Sequence, residues 1–150
     1  MNLANEKPDV TAALTRLLSD SALWRAALGA CATPVAIVDA STPQRAVTYV
    51  NPAFESYFGY RRGEAHGQPL AGVLFRGDEP LVHRLLAAPG SRWQLKSWTK
   101  GDTLKHVDLA LGAVRNPEGR VTYWVLSFSD RAEAEALRAE LERLRPAAAA

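Results

Sequence analysis

Few residues in this chain have the type and surroundings that chemistry needs. Cys31 is the single cysteine and sits among Leu28, Gly29, Ala30 and Ala32. A thiol in such apolar company reads as a small buried side chain, because a reactive thiolate needs cationic neighbours. One cysteine also excludes an intrachain disulfide, and a reducing compartment is the expectation. His66, His83 and His106 do not share the spacing of a metal site, so no metal is expected. His83 stands on a leucine-rich segment; pointing inward it would suit haem, pointing outward it is a surface residue. The carboxylate pairs Asp78-Glu79 and Glu133/Glu135 fall at the starts of helical patterns, where the helix dipole and water stabilise them. No Ser, His and Asp grouping and no phosphate-cradling glycine loop is present. The chain is not expected to be an enzyme.

Bulk properties narrow the remaining classes. A net charge of +2, with no Lys or Arg stripe, gives no footprint for nucleic acid. The most basic spot, Arg61-Arg62, reads as a solvated turn. The N-terminus lacks the pattern of a signal peptide, and no apolar run reaches the ~20 residues that cross a bilayer. A cytoplasmic protein with no membrane contact is the expectation. Length and a hydrophobic content of 47% suit one domain with a real core and short extensions.

The elements that position these residues follow from periodicity. Leu14, Leu17, Leu18, Leu23, Trp24 and Leu28 recur at helical spacing from residue 9 or 10 to about 28. Residues 34–38 and 46–50 read as a hairpin around the turn-rich stretch 39–45. Asn51 and Pro52 form an N-cap and first helical position, apolar residues follow at Phe54, Tyr57 and Phe58, and Gly59 stops the helix. A second short helix is expected at 62–65, an irregular apolar stretch at 70–76, and a longer helix at 79–88 opened by Asp78 and Pro80. Residues 93–99, 104–114 and 121–129 read as three successive strands joined by tight turns. In the middle one, Val107, Leu109, Leu111 and Ala113 share one parity while His106 and Asp108 take the other, giving one buried face and one wet face. Two strands, a cluster of short helices and three more strands give an α+β fold: a five-stranded antiparallel sheet with helices on one face, plus terminal flanking helices.

This plan resembles a PAS domain, and more narrowly the LOV branch similar to short bacterial LOV proteins. The marks are Tyr49-Val50-Asn51-Pro52-Ala53-Phe54, Gly59-Tyr60, Gly67, the long first hairpin, and the turn from Val114 to Val121. The resemblance divides the chain into a flank at 1–32, the PAS/LOV-like domain at 33–130, and an amphipathic helix and tail at 131–150. It implies a sensory module rather than a catalyst.

The LOV residues that hold and use flavin are replaced. A LOV photoreceptor reads Asn-Cys-Arg-Phe-Leu-Gln where this chain has Ala71-Gly72-Val73-Leu74-Phe75-Arg76, so Gly72 stands at the photoactive cysteine and Val73 at the phosphate-binding arginine. Ser97 and Val107 match the two flavin-bonding asparagines, and Phe128 matches the glutamine. A flavin seated there would leave ring N–H and C=O groups without partners, each costing about 1–3 kcal/mol. The resemblance therefore implies no cofactor, with FMN and haem as alternatives. The expected pocket lining is Asn51, Phe58, Gly72, Leu74, Ser97, Val107, Leu109, Val125 and Phe128. Either Phe128 and its neighbours fill the space or an apolar small ligand does, because an empty cavity costs about 24 cal/mol per Å³.

Leu137, Leu141 and Leu144, with Ala134, form a heptad stripe on the last helix, and charged residues cover the rest. The helix either folds back on its own sheet or forms a dimer seam and output lever. A homodimer through this stripe, Leu17 and Trp24 is expected, with a downstream signalling protein as a further partner. Trp93, Trp98 and Trp124 lie on strands, and any facing outward is a docking surface for those helices or a partner.

Overall fold

A computed structural model describes residues 21–145. The elements are helix α1 (Ser21–Ala30), strands β1 (Val35–Asp39) and β2 (Val47–Val50), and helices α2 (Pro52–Phe58), α3 (Leu70–Leu74) and α4 (Glu79–Leu86). Strands β3 (Arg92–Trp98), β4 (Leu104–Arg115) and β5 (Val121–Asp130) and helix α5 (Arg131–Leu144) follow. The sheet order is β2-β1-β5-β4-β3, and every pairing is antiparallel. The α+β architecture read from the sequence is the one observed.

Strands β2 and β3 are consecutive in sequence yet form opposite edges of the sheet. The intervening chain must therefore cross a whole face, and α2, α3 and α4 are what crosses it. Helix α2 begins sharply because Asn51 caps it through the Phe54 N–H and Pro52 needs no partner there. It ends at Gly59, whose φ of +78° lets its N–H return to the Glu55 carbonyl at 2.9 Å. Strand parity decides the buried face: Val107, Leu109 and Leu111 of β4 are at most 3% exposed, while His106 is exposed. Leu126 and Phe128 of β5 pair with Leu111 and Leu109 and share their face.

Five expectations change. Residues 61–66 form turns rather than a helix, and the stretch after Pro69 is a helix, α3, with Leu70, Ala71, Val73 and Leu74 buried. Of the N-terminal helix, the described part continues through Gly29 to Ala30; Leu14, Leu17 and Leu18 lie outside the described residues. Trp24 is not a free seam residue: it meets Tyr49 of β2 edge-on, with ring centroids 5.1 Å apart. Trp93 and Trp124 pack against the core, and the Arg76 guanidinium covers the Trp98 ring at 4.5 Å, so these tryptophans are half-buried rather than freely outward-facing.

Helix α5 leaves β5 at Asp130, which caps it through the Glu133 N–H. None of its residues is buried, and Leu137, Leu141 and Leu144 are 65–69% exposed. The leucine stripe does not fold back on its own sheet. Among the described residues, no helix is long and apolar enough to cross a membrane.

Candidate functional site

The site lies between the inner sheet face and helices α2–α4, and the sequence fills it with rings. Phe54 and Phe58 are four apart on α2 and so share one face; both are fully buried. Their centroids are 4.6 Å apart, and Phe128 reaches them from β5 at 6.0 Å and 5.3 Å. These spacings and tilts are those of favourable aromatic pairs. Leu74, Val107 and Leu109 close around the rings with at most 1% exposure. None of four clefts on the described surface has Phe58, Leu74, Ser97 or Val107 in its wall.

The two fully buried polar side chains beside this cluster are already spent, while the Trp124 indole N–H is buried without a partner. Ser97 is fully buried, and its hydroxyl donates to the Leu74 carbonyl at 3.1 Å, satisfying the C-terminal end of α3. Asn51 is also fully buried, and its amide makes four hydrogen bonds. Its Oδ1 accepts from Val35 N–H at 2.9 Å and Phe54 N–H at 3.0 Å. Its Nδ2 donates to Leu28 and Thr33 carbonyls at 3.0 and 2.8 Å. Asn51 thus ties α1, β1 and α2 together and has no capacity left for a ligand, which corrects its expected role as pocket lining.

Two further expected lining residues face away. Gly72 is exposed, and a Cβ built there would meet nothing within 4 Å. The reason is helical: in α3 the buried positions surround it at Leu70, Ala71, Val73 and Leu74. Val125 has the opposite parity to buried Leu126 and Phe128, so it lies on the outer sheet face. Phe58, Leu74, Ser97, Val107, Leu109 and Phe128 are the expected residues that the structure brings to the interior. Phe54 belongs with them, and its spacing from Phe58 was the signal for it.

His83 does not face the interior. It is exposed on α4, and its Nδ1 lies 3.1 Å from Arg45 Nη2. Cys31 follows α1 at intermediate exposure, and Gly72 is not a thiol, so neither stands as a nucleophile at the ring cluster. Among the described residues, no group of histidine, cysteine and carboxylate side chains is arranged to hold a metal ion.

At the rim, the Tyr57 hydroxyl donates to Asp130 Oδ2, while the other carboxylate oxygen caps α5. Burial and this acidic partner push the Tyr57 hydroxyl well above its ordinary pKa. The same bond, with backbone N–H groups of Glu133 and Ala132 and the nearby Lys105, holds the Asp130 carboxyl below its ordinary value despite opposing burial. Tyr57 also packs edge-on against Phe58 at 4.8 Å. The ring cluster therefore touches the start of α5 through one side chain.

A family model described as PAS fold matches residues 22–131. An RNA-binding light-oxygen-voltage receptor is similar, with 25% identity and a TM-score of 0.65 over 89% of this chain and 38% of that one. The LOV protein of Rhodobacter sphaeroides is 24% identical, with a TM-score of 0.60 over 72% of this chain and 65% of that one. The PAS domain of an HTR-like protein from Haloarcula marismortui is 16% identical, with a TM-score of 0.58 over 80% of this chain and 98% of that one. This chain spans well under half of the RNA-binding receptor, and the likeness to the last two is one of fold. No curated protein matches the sequence.

Proposed function

The chain belongs to the PAS family, and from that premise we propose a non-catalytic sensory and regulatory module of LOV type whose flavin seat is filled by its own side chains. The carrying observation is the meeting of Phe54, Phe58 and Phe128 at 4.6–6.0 Å between helices and sheet. A flavin ring needs a flat slot and hydrogen-bond partners for its polar edge. Here three rings stand in the space, Ser97 is committed to Leu74, and Val107 and Phe128 offer no polar atom.

In this reading residues 33–130 are the sensory unit, and residues 1–32 and 131–150 are its flanks. Output runs through dimerisation. The leucine stripe of α5 is unpacked in its own chain, and an isolated helix of about 14 residues is marginal in water, so a second copy is the natural cover. The module works inside the cell and passes its state to a downstream signalling protein.

An absorption spectrum of freshly purified protein tests the seat. Only the protein's own ultraviolet band is expected. A flavin visible band or a haem Soret band at stoichiometric amount would replace this reading with that of a cofactor-bearing photo- or redox receptor. Denaturation followed by mass spectrometry covers the remaining case, a colourless apolar ligand in place of side-chain filling.

A further inference from the structure

A cleft of about 930 Å³ opens where α1 passes β2 and the turn after α2, away from the ring cluster. Arg25 enters it from α1, Tyr49 from β2, Glu55 from α2, and Arg62 and His66 from the turn at 61–66. Four separate parts of the fold thus bring two permanent cations, an imidazole, one ring and one carboxylate to one place.

The charges are uneven in how they are used. Glu55 accepts the Gly63 N–H at 3.1 Å and so braces the turn that carries Arg62. Neither Arg25 nor Arg62 has a carboxylate partner among the described residues. Arg25 is nevertheless held: its guanidinium lies 5.1 Å from the Trp24 ring centroid and 5.6 Å from that of Tyr49. Stacking on two rings removes much of the side-chain entropy that a free arginine loses on binding. A Cβ at Gly29 would meet nothing within 4 Å, so the α1 wall leaves room for an occupant.

We propose that this cleft, rather than the filled interior, is a ligand site, which takes a planar aromatic molecule carrying an oxyanion. The guanidinium forks of Arg25 and Arg62 match a carboxylate or phosphate, and Tyr49 brings an aromatic wall to the cleft beside them. The site stands independently of the filled interior, since it shares none of Phe54, Phe58 and Phe128.

The test is a titration of the full chain, followed by two-dimensional amide and indole NMR. Adenosine monophosphate and benzoate are the two aromatic oxyanions; adenosine and inorganic phosphate each lack half of the ligand. Saturable shifts at the Trp24 indole, Arg25, Tyr49 and Gly63 are expected with at least one aromatic oxyanion, and the tighter of the two assigns phosphate or carboxylate. Arg25→Gln and Arg62→Gln should each weaken it at least tenfold, the scale of one charge-assisted hydrogen bond. Adenosine and inorganic phosphate should bind at least tenfold more weakly. Both arginines are exposed, so the variants should keep the parent spectrum elsewhere; should one lose it, the other decides. Three results would each overturn the site: no saturation with either aromatic oxyanion, unchanged affinity in a folded variant, or equal binding of inorganic phosphate, which indicates an adventitious ion only.

Discussion

Replacing Phe128 by alanine tests whether side chains fill the seat. Phe128 is 1% exposed on the inner face of β5, with its ring 5.3 Å from Phe58 and 6.0 Å from Phe54. If the space is packed, the ring's removal leaves a void walled by those two rings, Leu74, Val107 and Leu109. Burial lost with a phenylalanine and the cavity left behind together cost about 3–5 kcal/mol, with residual volume contributing about 2.4 kcal/mol per 100 Å³. A domain of this size has about 5–15 kcal/mol in total, so the variant folds but loses a large share of it.

The assay is urea unfolding of both proteins. With a slope of about 2 kcal/mol/M, the midpoint should fall by roughly 1.5–2.5 M. A second measurement separates a filled seat from a vacant one. An apolar cavity of about 150 Å³ stays dry and takes benzene, so benzene should raise the Tm of Phe128→Ala and leave the parent unchanged. A loss below about 1 kcal/mol, or benzene stabilisation of the parent, would show that the ring borders a space that is already open. Either result refutes the packing argument.

Other consequences follow from the same contacts. Leu137→Glu with Leu141→Glu should shift the proposed dimer to monomer by light scattering with little change in Tm, because both leucines are 65–68% exposed within the chain; an unchanged mass removes the seam. Asn51→Ala takes away four hydrogen bonds, two buried and two part-buried, at about 1 kcal/mol each, and should cost about 3–5 kcal/mol by urea unfolding; a cost below 1 kcal/mol would contradict its role as a tie. Tyr57→Phe should alter stability at both ends of the pH range. Asp130, held below its ordinary pKa, contributes stability above about pH 4 that is lost as pH falls further. Tyr57, held above its ordinary pKa, contributes stability below about pH 10 that is lost as pH rises. The variant should therefore show a shallower Tm decline in acid and in alkali, and parallel curves would dismiss the link.

What could be read from the sequence was whatever local periodicity fixes. The parity of β4 placed Val107 and Leu109 inside and His106 outside without further help, because a strand side chain has only two faces to choose from. Phe58 and Leu74 were legible for a similar reason: each lies in a short apolar pattern closed by punctuation, Gly59 in one case and Asp78 in the other. The sequence misleads where neither apolar character nor a motif match says which way a side chain faces. The match of 71–76 to a LOV motif sets Gly72 at the photoactive position, yet α3 turns that position outward. Val125 was admitted for being apolar, although its neighbours at 126 and 128 already claimed the inner face. Asn51 was recognised as a cap, but its bonds to Val35, Leu28 and Thr33 span 16–23 residues, and no local pattern reveals them.

These contacts also bear on how an interior filled by its own side chains can report anything. A signal need not enter as a cofactor if the core already touches the output helix. Phe128 meets Phe58, Phe58 meets Tyr57 edge-on at 4.8 Å, and Tyr57 holds the carboxylate that caps α5. Under the proposed function, a change of packing among the three rings would reach the cap through Tyr57, whose hydroxyl holds the same carboxylate. That cap is worth about 1 kcal/mol to a helix whose own apolar stripe is unpacked. In a helix so marginal, this is enough to change the fraction folded and available to a second copy several-fold. Under that proposal the exposed leucines and the filled core belong to one design: the core would set the start of α5, and a second copy would supply the packing that its own sheet does not.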